Sequence, residues 1–139
     1  MAYVVLYLVT AVLFLGLDLV WISQVAKPLF EADVPHLMAE EVRLDAAGGF
    51  YLLYVVGILY FASARGLAGK PLWQVALDGA LFGFFAYGTY EATNFATLDG
   101  WTVRMAVIDI AWGTSFTSAM GVAGLIVTRA LFGRRQAVA

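Results

Sequence analysis

Long apolar stretches leave this chain few folds to choose from. From about Tyr3 to Val25 the only charged residue is Asp18, and from about Ala46 to Ala64 there is none. Two further stretches, from about Leu72 to Ala96 and from about Trp101 to Thr128, bring the number to four. Each is close to the roughly 20 residues that an α-helix needs to cross a bilayer. None alternates, and all exceed the roughly 9–11 residues of a barrel strand. Hydrophobic residues are 63% of the 139 and charged residues 13%, against roughly 25% charged in a typical soluble domain. A soluble helical domain of this composition would lack the polar surface to cover itself. The sequence therefore predicts an all-α polytopic membrane protein: one domain over residues 1–139, with four transmembrane helices at about 3–25, 46–64, 72–96 and 101–128.

The connections set the topology. The first stretch lacks a basic leader and is longer than the apolar core of a cleaved signal peptide, so it reads as a retained helix. Lys27-Pro28 is expected to end it, and Pro35 to keep the middle of the 27–45 loop irregular, with a short amphipathic helix from His36 to Leu44. The connections Arg65–Lys70 and Thr97–Gly100 are short, which predicts antiparallel neighbours in an up-and-down bundle. Arg65, Lys70, Arg129, Arg134 and Arg135 then share one side, against Lys27, Arg43 and Arg104 on the other. The positive-inside rule puts both termini in the cytoplasm and the acidic first loop outside.

That orientation turns scattered polar residues into one layer. Asp18 of the first stretch and Asp109 of the last each lie seven or eight residues from the outer boundary, roughly 10 Å deep at about 1.5 Å per residue. Glu91 and Asn94 approach the same level. Asp18 and Trp21, and likewise Asp109 and Trp112, are three apart and share a helix face, as do Tyr87, Glu91 and Asn94. Tyr51 or Tyr54 can reach the same depth. Ionisable groups in hydrocarbon are expensive and by default mark a functional site. Asp18, Trp21, Tyr87, Glu91, Asn94, Asp109 and Trp112 are thus the candidate ligand-binding residues, with Arg104 as counter-charge to Asp109. Trp101 reads as an interfacial anchor. Asp78, near the cytoplasmic start of its helix, is expected to pair with Arg65 or Lys70. Polar contacts between membrane helices also serve as glue, worth roughly 0.6–2 kcal/mol each, and that accounts for the layer about as well.

Small residues mark close approaches. Gly79 and Gly83 form a G-x-x-x-G, and Gly113, Thr117, Gly121 and Gly124 form a stripe on the fourth helix, for contact within the bundle or with another copy. Gly48-Gly49 is a candidate kink or tight crossing. The repeated D-x-x-W of Asp18-Leu19-Val20-Trp21 and Asp109-Ile110-Ala111-Trp112 lies at one depth in antiparallel helices, which rules out an inverted repeat.

Several segments resemble the DUF2177 family of small bacterial integral membrane proteins of unknown function. They are Leu17-Asp18-Leu19-Val20-Trp21 with Ala26-Lys27-Pro28-Leu29-Phe30, Phe50-Tyr51-Leu52-Leu53-Tyr54, Tyr87 through Leu98, and Val107 through Thr114. The family pattern near Asn94 resembles Y-D-L-T-N, and this chain keeps the acid as Glu91, one methylene longer. The resemblance implies a four-span fold in a bacterial cytoplasmic (inner) membrane and carries no activity.

Three classes of function remain. An outer-leaflet site binding or transporting a small solute, an ion or a lipid headgroup explains the carboxyl layer best. An accessory or structural subunit of a membrane complex needs no site. An intramembrane lipid-modifying enzyme is disfavoured, because there is no Cys, a single His, no H-E-x-x-H and no nucleotide loop. No cofactor is expected, although carboxylates could hold a hard cation. Membrane lipid, a second copy or a membrane-protein partner are the expected contacts. Eight scattered basic residues make no nucleic-acid surface.

Overall fold

In hydrocarbon, backbone N–H and C=O groups find no water, so an apolar chain satisfies them within its own helices. The computed structural model describes the backbone to Gln136 and the side chains to Phe132, and the described residues are almost entirely helical. Four long helices account for this: α1 (Ala2–Asp33), α2 (Leu44–Leu67), α3 (Leu72–Thr97) and α4 (Val103–Gln136). Arg134 and Arg135, which the orientation argument uses, lie outside the residues whose side chains are described.

Three of these helices, α1, α2 and α4, are long and apolar enough to cross a membrane. The expected third span is helix α3. Its 26 residues give it the length. Gln74, Asp78, Glu91 and Asn94, with its glycines and threonines, make it less apolar than the others.

Helix α1 does not stop at Lys27-Pro28. It runs through a π-helical turn at Ile22–Ala26 and continues from Lys27 to Asp33. Proline has no N–H and its ring collides with the carbonyl four residues back. The wider turn, closed by the Lys27 N–H on the Ile22 carbonyl, carries the helix past that obstacle. The connection is consequently shorter than expected. The helix expected from His36 to Leu44 is a single 3-10 turn at Pro35–Leu37, with Met38 already extended. Helix α2 contains a second π-helical turn at Leu59–Ser63. Gly48 and Gly49 lie inside the α-helical run Leu44–Ile58, and nothing approaches them within 4 Å, so they mark neither a kink nor a crossing.

Contacts fix the directions. Thr10 meets Gly124 while Asp18 meets Trp112, so α1 and α4 are antiparallel. Ala76 accepts from Ser118, and Gly83 lies on Gly113, so α3 and α4 are antiparallel as well. Tyr54 pairs with Thr117 and Ser63 with Gly121, which makes α2 and α4 parallel. One end of the molecule therefore holds the 34–43 and 98–102 connections, and the other holds the N-terminus and the tight turn at Gly69 (φ 100°).

The small-residue stripe is used inside the chain. A Cβ on Gly83 would strike the Gly113 carbonyl, one on Gly113 the Tyr87 ring, and one on Gly124 the Thr10 side chain. Near the terminal end Leu6, Ala62, Val75 and Leu125 form a fully buried cluster. Asp78 receives Lys70 at 2.6 Å and Arg65 at 3.6 Å, as expected.

Candidate functional site

Asp18, Glu91 and Asp109 gather near the connection end. Asp18 is 3% exposed. Its Oδ1 lies 3.4 Å from the Trp112 indole N–H, and the Tyr51 hydroxyl stands beside the same carboxyl. The three-residue spacing within each D-x-x-W then has a consequence across the helix pair. Trp21 and Trp112 stack with centroids 4.1 Å apart and planes 2° from parallel, and the other face of Trp112 lies on Phe116 at 4.6 Å. The two tetrads form one joint between α1 and α4.

Glu91 is fully buried. Its Oε2 accepts from the Trp101 indole N–H at 2.7 Å, its Oε1 has no donor, and its carboxyl lies against that of Asp109. Trp101 is therefore more than the interfacial anchor that its position suggested. It is 9% exposed and packs with Val34 and Met105, beneath Leu29 and Phe30 of the continued α1. That continuation is tied down at its tip. Asp33 accepts from Thr102 Oγ1 at 2.9 Å, and Thr102 Oγ1 in turn accepts from the Met105 N–H as the N-cap of α4.

Arg104 is not the counter-charge of Asp109. Its side chain is 60% exposed and bonds Asp33 Oδ1 at 2.9 Å. Five residues at about 100° each put positions 104 and 109 some 140° apart around the helix, so the guanidinium faces the tip of α1 instead. Asn94 also stands aside from the carboxyls, half-buried next to the Tyr90 hydroxyl.

A cavity of about 550 Å³ separates the four helices at this level. Its lining carries Asp18, Tyr51, Tyr54, Tyr87, Asp109 and Trp112, each of them in the expected layer or among the phenols that reach it. Trp21 lines it too, whereas Glu91 sits behind Asp109 and Asn94 and Arg104 are not in the lining. The mouth was not foreseen. Lys27, Phe30 and Glu31 of the continued α1 and Met38, Ala39, Glu40 and Val42 of the connection reach over it, because the helix passes Pro28. Lys27 and Glu31 pair at 3.6 Å one turn apart. The legible signal for Trp101 was its place across a tight turn from Glu91, close enough for an indole to reach back. Among the described residues no group of three or more His, Cys, Asp or Glu side chains is placed to hold a metal ion.

Around this site the outer surface is apolar, with Leu8, Val12, Leu53, Phe85 and Val107 all exposed while the polar groups turn inward. That inversion, on helices of spanning length, defines a helical integral membrane protein. The chain belongs to the DUF2177 family, described as a predicted membrane protein, whose family model matches residues 3–126. The match includes every residue of the carboxyl layer. No curated protein and no solved structure matches the chain.

Proposed function

We propose that this is a four-span protein of the bacterial inner membrane whose cavity, opening at the outer face, binds a small ligand for recognition or transport. The observation that carries this reading is the cavity itself: about 550 Å³ with the carboxyls of Asp18 and Asp109 in its lining. Binding pockets are concave, mostly apolar and supplied with a few convergent polar groups, in the range of about 300–1,000 Å³. Glue between helices does not call for such a space.

The fourth span in this reading is α3. Its outward face is Trp73, Leu77, Leu81, Phe84 and Phe85, all exposed and apolar, while Asp78 has its lysine and Glu91 is enclosed. A helix of this kind crosses lipid because its polar side is turned to its neighbours. With four spans the alternating directions place both termini on one side, and Arg65, Lys70 and Arg129 make that side cytoplasmic.

The chain has no cysteine, so introduced thiols report alone. In intact cells a membrane-impermeant maleimide is expected to label Ala39→Cys, at the cavity mouth, and to spare Ala68→Cys, in the opposite turn. Native mass spectrometry of the wild type is expected to retain a ligand that Asp109→Asn loses while remaining folded. Labelling confined to position 68 reverses the orientation. No retained ligand in any membrane-like medium shifts the reading to an accessory subunit.

A further inference from the structure

We propose that the cavity receives an alkylammonium group, primary or quaternary, carried on a free amine or on a phospholipid headgroup. The inference rests on the ligand-cavity reading above and gives the ligand its chemistry.

Charge is the first ground. Asp18 and Asp109 line the cavity, and Glu91 stands against Asp109 with one wholly buried oxygen that meets no N–H or hydroxyl among the described residues. Carboxylates side by side in a medium of low dielectric repel strongly. Lys27 is the one basic side chain among the described lining residues, and it stands at the mouth. Lys27 at the mouth is paired with Glu31, Arg104 with Asp33, and Lys70 and Arg65 with Asp78; among the described residues no ion pair includes Asp18, Glu91 or Asp109.

The walls choose between kinds of cation. A metal ion needs several hard ligands converging on one point, and among the described residues no three His, Cys, Asp or Glu side chains converge in this way. Tyr51, Tyr87, Tyr90 and Trp21 surround the carboxyls instead. Aromatic faces attract organic ammonium groups through their quadrupoles, and rings grouped around one position are the usual means of holding a quaternary nitrogen. Trp112 has both faces covered in the Trp21–Trp112–Phe116 stack, so its role is to fix Asp18 through the indole N–H. Toward the mouth Phe30, Met38, Val42 and Phe50 give the alkyl part an apolar path.

The test uses the full chain, purified in detergent and in lipid nanodiscs. Choline, ethanolamine and hexylamine are titrated against it by calorimetry and indole fluorescence, beside the carbon isostere of choline, which keeps the shape and lacks the charge. At least one amine is expected to saturate, with the isostere at least tenfold weaker. Asp18→Asn and Asp109→Asn should each weaken it tenfold or more. Trp21→Leu, which removes a ring from the lining and from the stack on Trp112, should weaken it several-fold in protein that still melts cooperatively, while Asp78→Asn at the other end leaves it unchanged. Native mass spectrometry from nanodiscs separates the two sources. Retention of phosphatidylethanolamine over phosphatidylglycerol assigns the headgroup, and binding of free amine alone assigns a solute. Equal affinity for the isostere, or retention of the anionic lipid with silent amines, overturns the ammonium assignment and leaves the cavity as a ligand site of another kind. If amines, isostere and both lipids all fail to bind, the ligand-cavity reading falls with it.

Discussion

The two halves of the molecule both bury acids between helices, and they treat them in opposite ways. In the half near the termini, Asp78 comes with Lys70 at 2.6 Å and Arg65 at 3.6 Å. Helices there meet through glycine and through side-chain hydroxyls on backbone carbonyls, as Ser63 on Gly121 and Ser118 on Ala76. In the half near the connections the contacts are large rings, a cavity stands between them, and three carboxyls share two indoles and a phenol with no ion pair among the described residues. Asp78 is satisfied by basic neighbours, whereas Asp18 and Glu91 take indole donors beside open space. The packed half supports the open half, because close backbone contact at Gly79 and Gly83 holds α3 on α4.

The sharpest way to break this contrast is at the clamp. Gly83→Leu drives a side chain into the Gly113 carbonyl and Thr117. Backbone cannot step aside as a side chain can, and the cost is expected at about 3 kcal/mol or more, enough to abolish a cooperative thermal transition in detergent. A normal melting curve would show that the helices are not in contact there.

Next in size is Trp101→Phe. It keeps the ring packed on Val34 and Met105 and removes the indole N–H donated to a fully buried carboxyl. An unsatisfied buried acceptor costs about 1–3 kcal/mol, more where charged. The melting temperature should fall by several degrees, and Glu91→Gln in the same background should recover part of it. No change would mean that Glu91 has another partner.

Arg104→Gln should be nearly silent, within about 1 kcal/mol, because an exposed ion pair contributes little. Ligand binding should not change either. A large loss of binding would restore Arg104 to the site. Smallest, and of opposite sign, is Gly48→Ala. Open space surrounds that helical glycine, so a gain of roughly 0.4–1 kcal/mol is expected from the stiffer unfolded chain.

The features that the sequence made legible are those dictated by helical period and by the cost of charge in hydrocarbon. The four helical stretches, the Asp78 pairing and the facing D-x-x-W tetrads followed from counting residues along helices. Whether α3 spans was harder to read, since its polar content is hidden only once its neighbours are in place. Pro28 misled because a proline breaks an α-helix but not one that widens first into a π-helical turn, and no local signal at Ile22–Ala26 announces that choice. The cavity mouth was lost with it. Arg104 misled because charge was weighed ahead of phase: 140° of rotation defeats even a long side chain when Asp33 is nearer. Trp101 was read from its depth alone, and its role depends on how the 98–102 turn folds back on Glu91.

One substitution made twice tests the contrast most directly. Ala62 and Ala86 are small residues of neighbouring helices, the first fully buried in the packed half and the second in the cavity lining. Each becomes the sole thiol when changed to cysteine in this cysteine-free chain. A trimethylammonium thiosulfonate applied to intact cells should modify Ala86→Cys rapidly, should be slowed there by Asp18→Asn, and should leave Ala62→Cys untouched. If position 86 is as unreactive as position 62, the space among the carboxyls is not open to the outer face, and the division of the molecule into a sealed half and a receiving half is wrong.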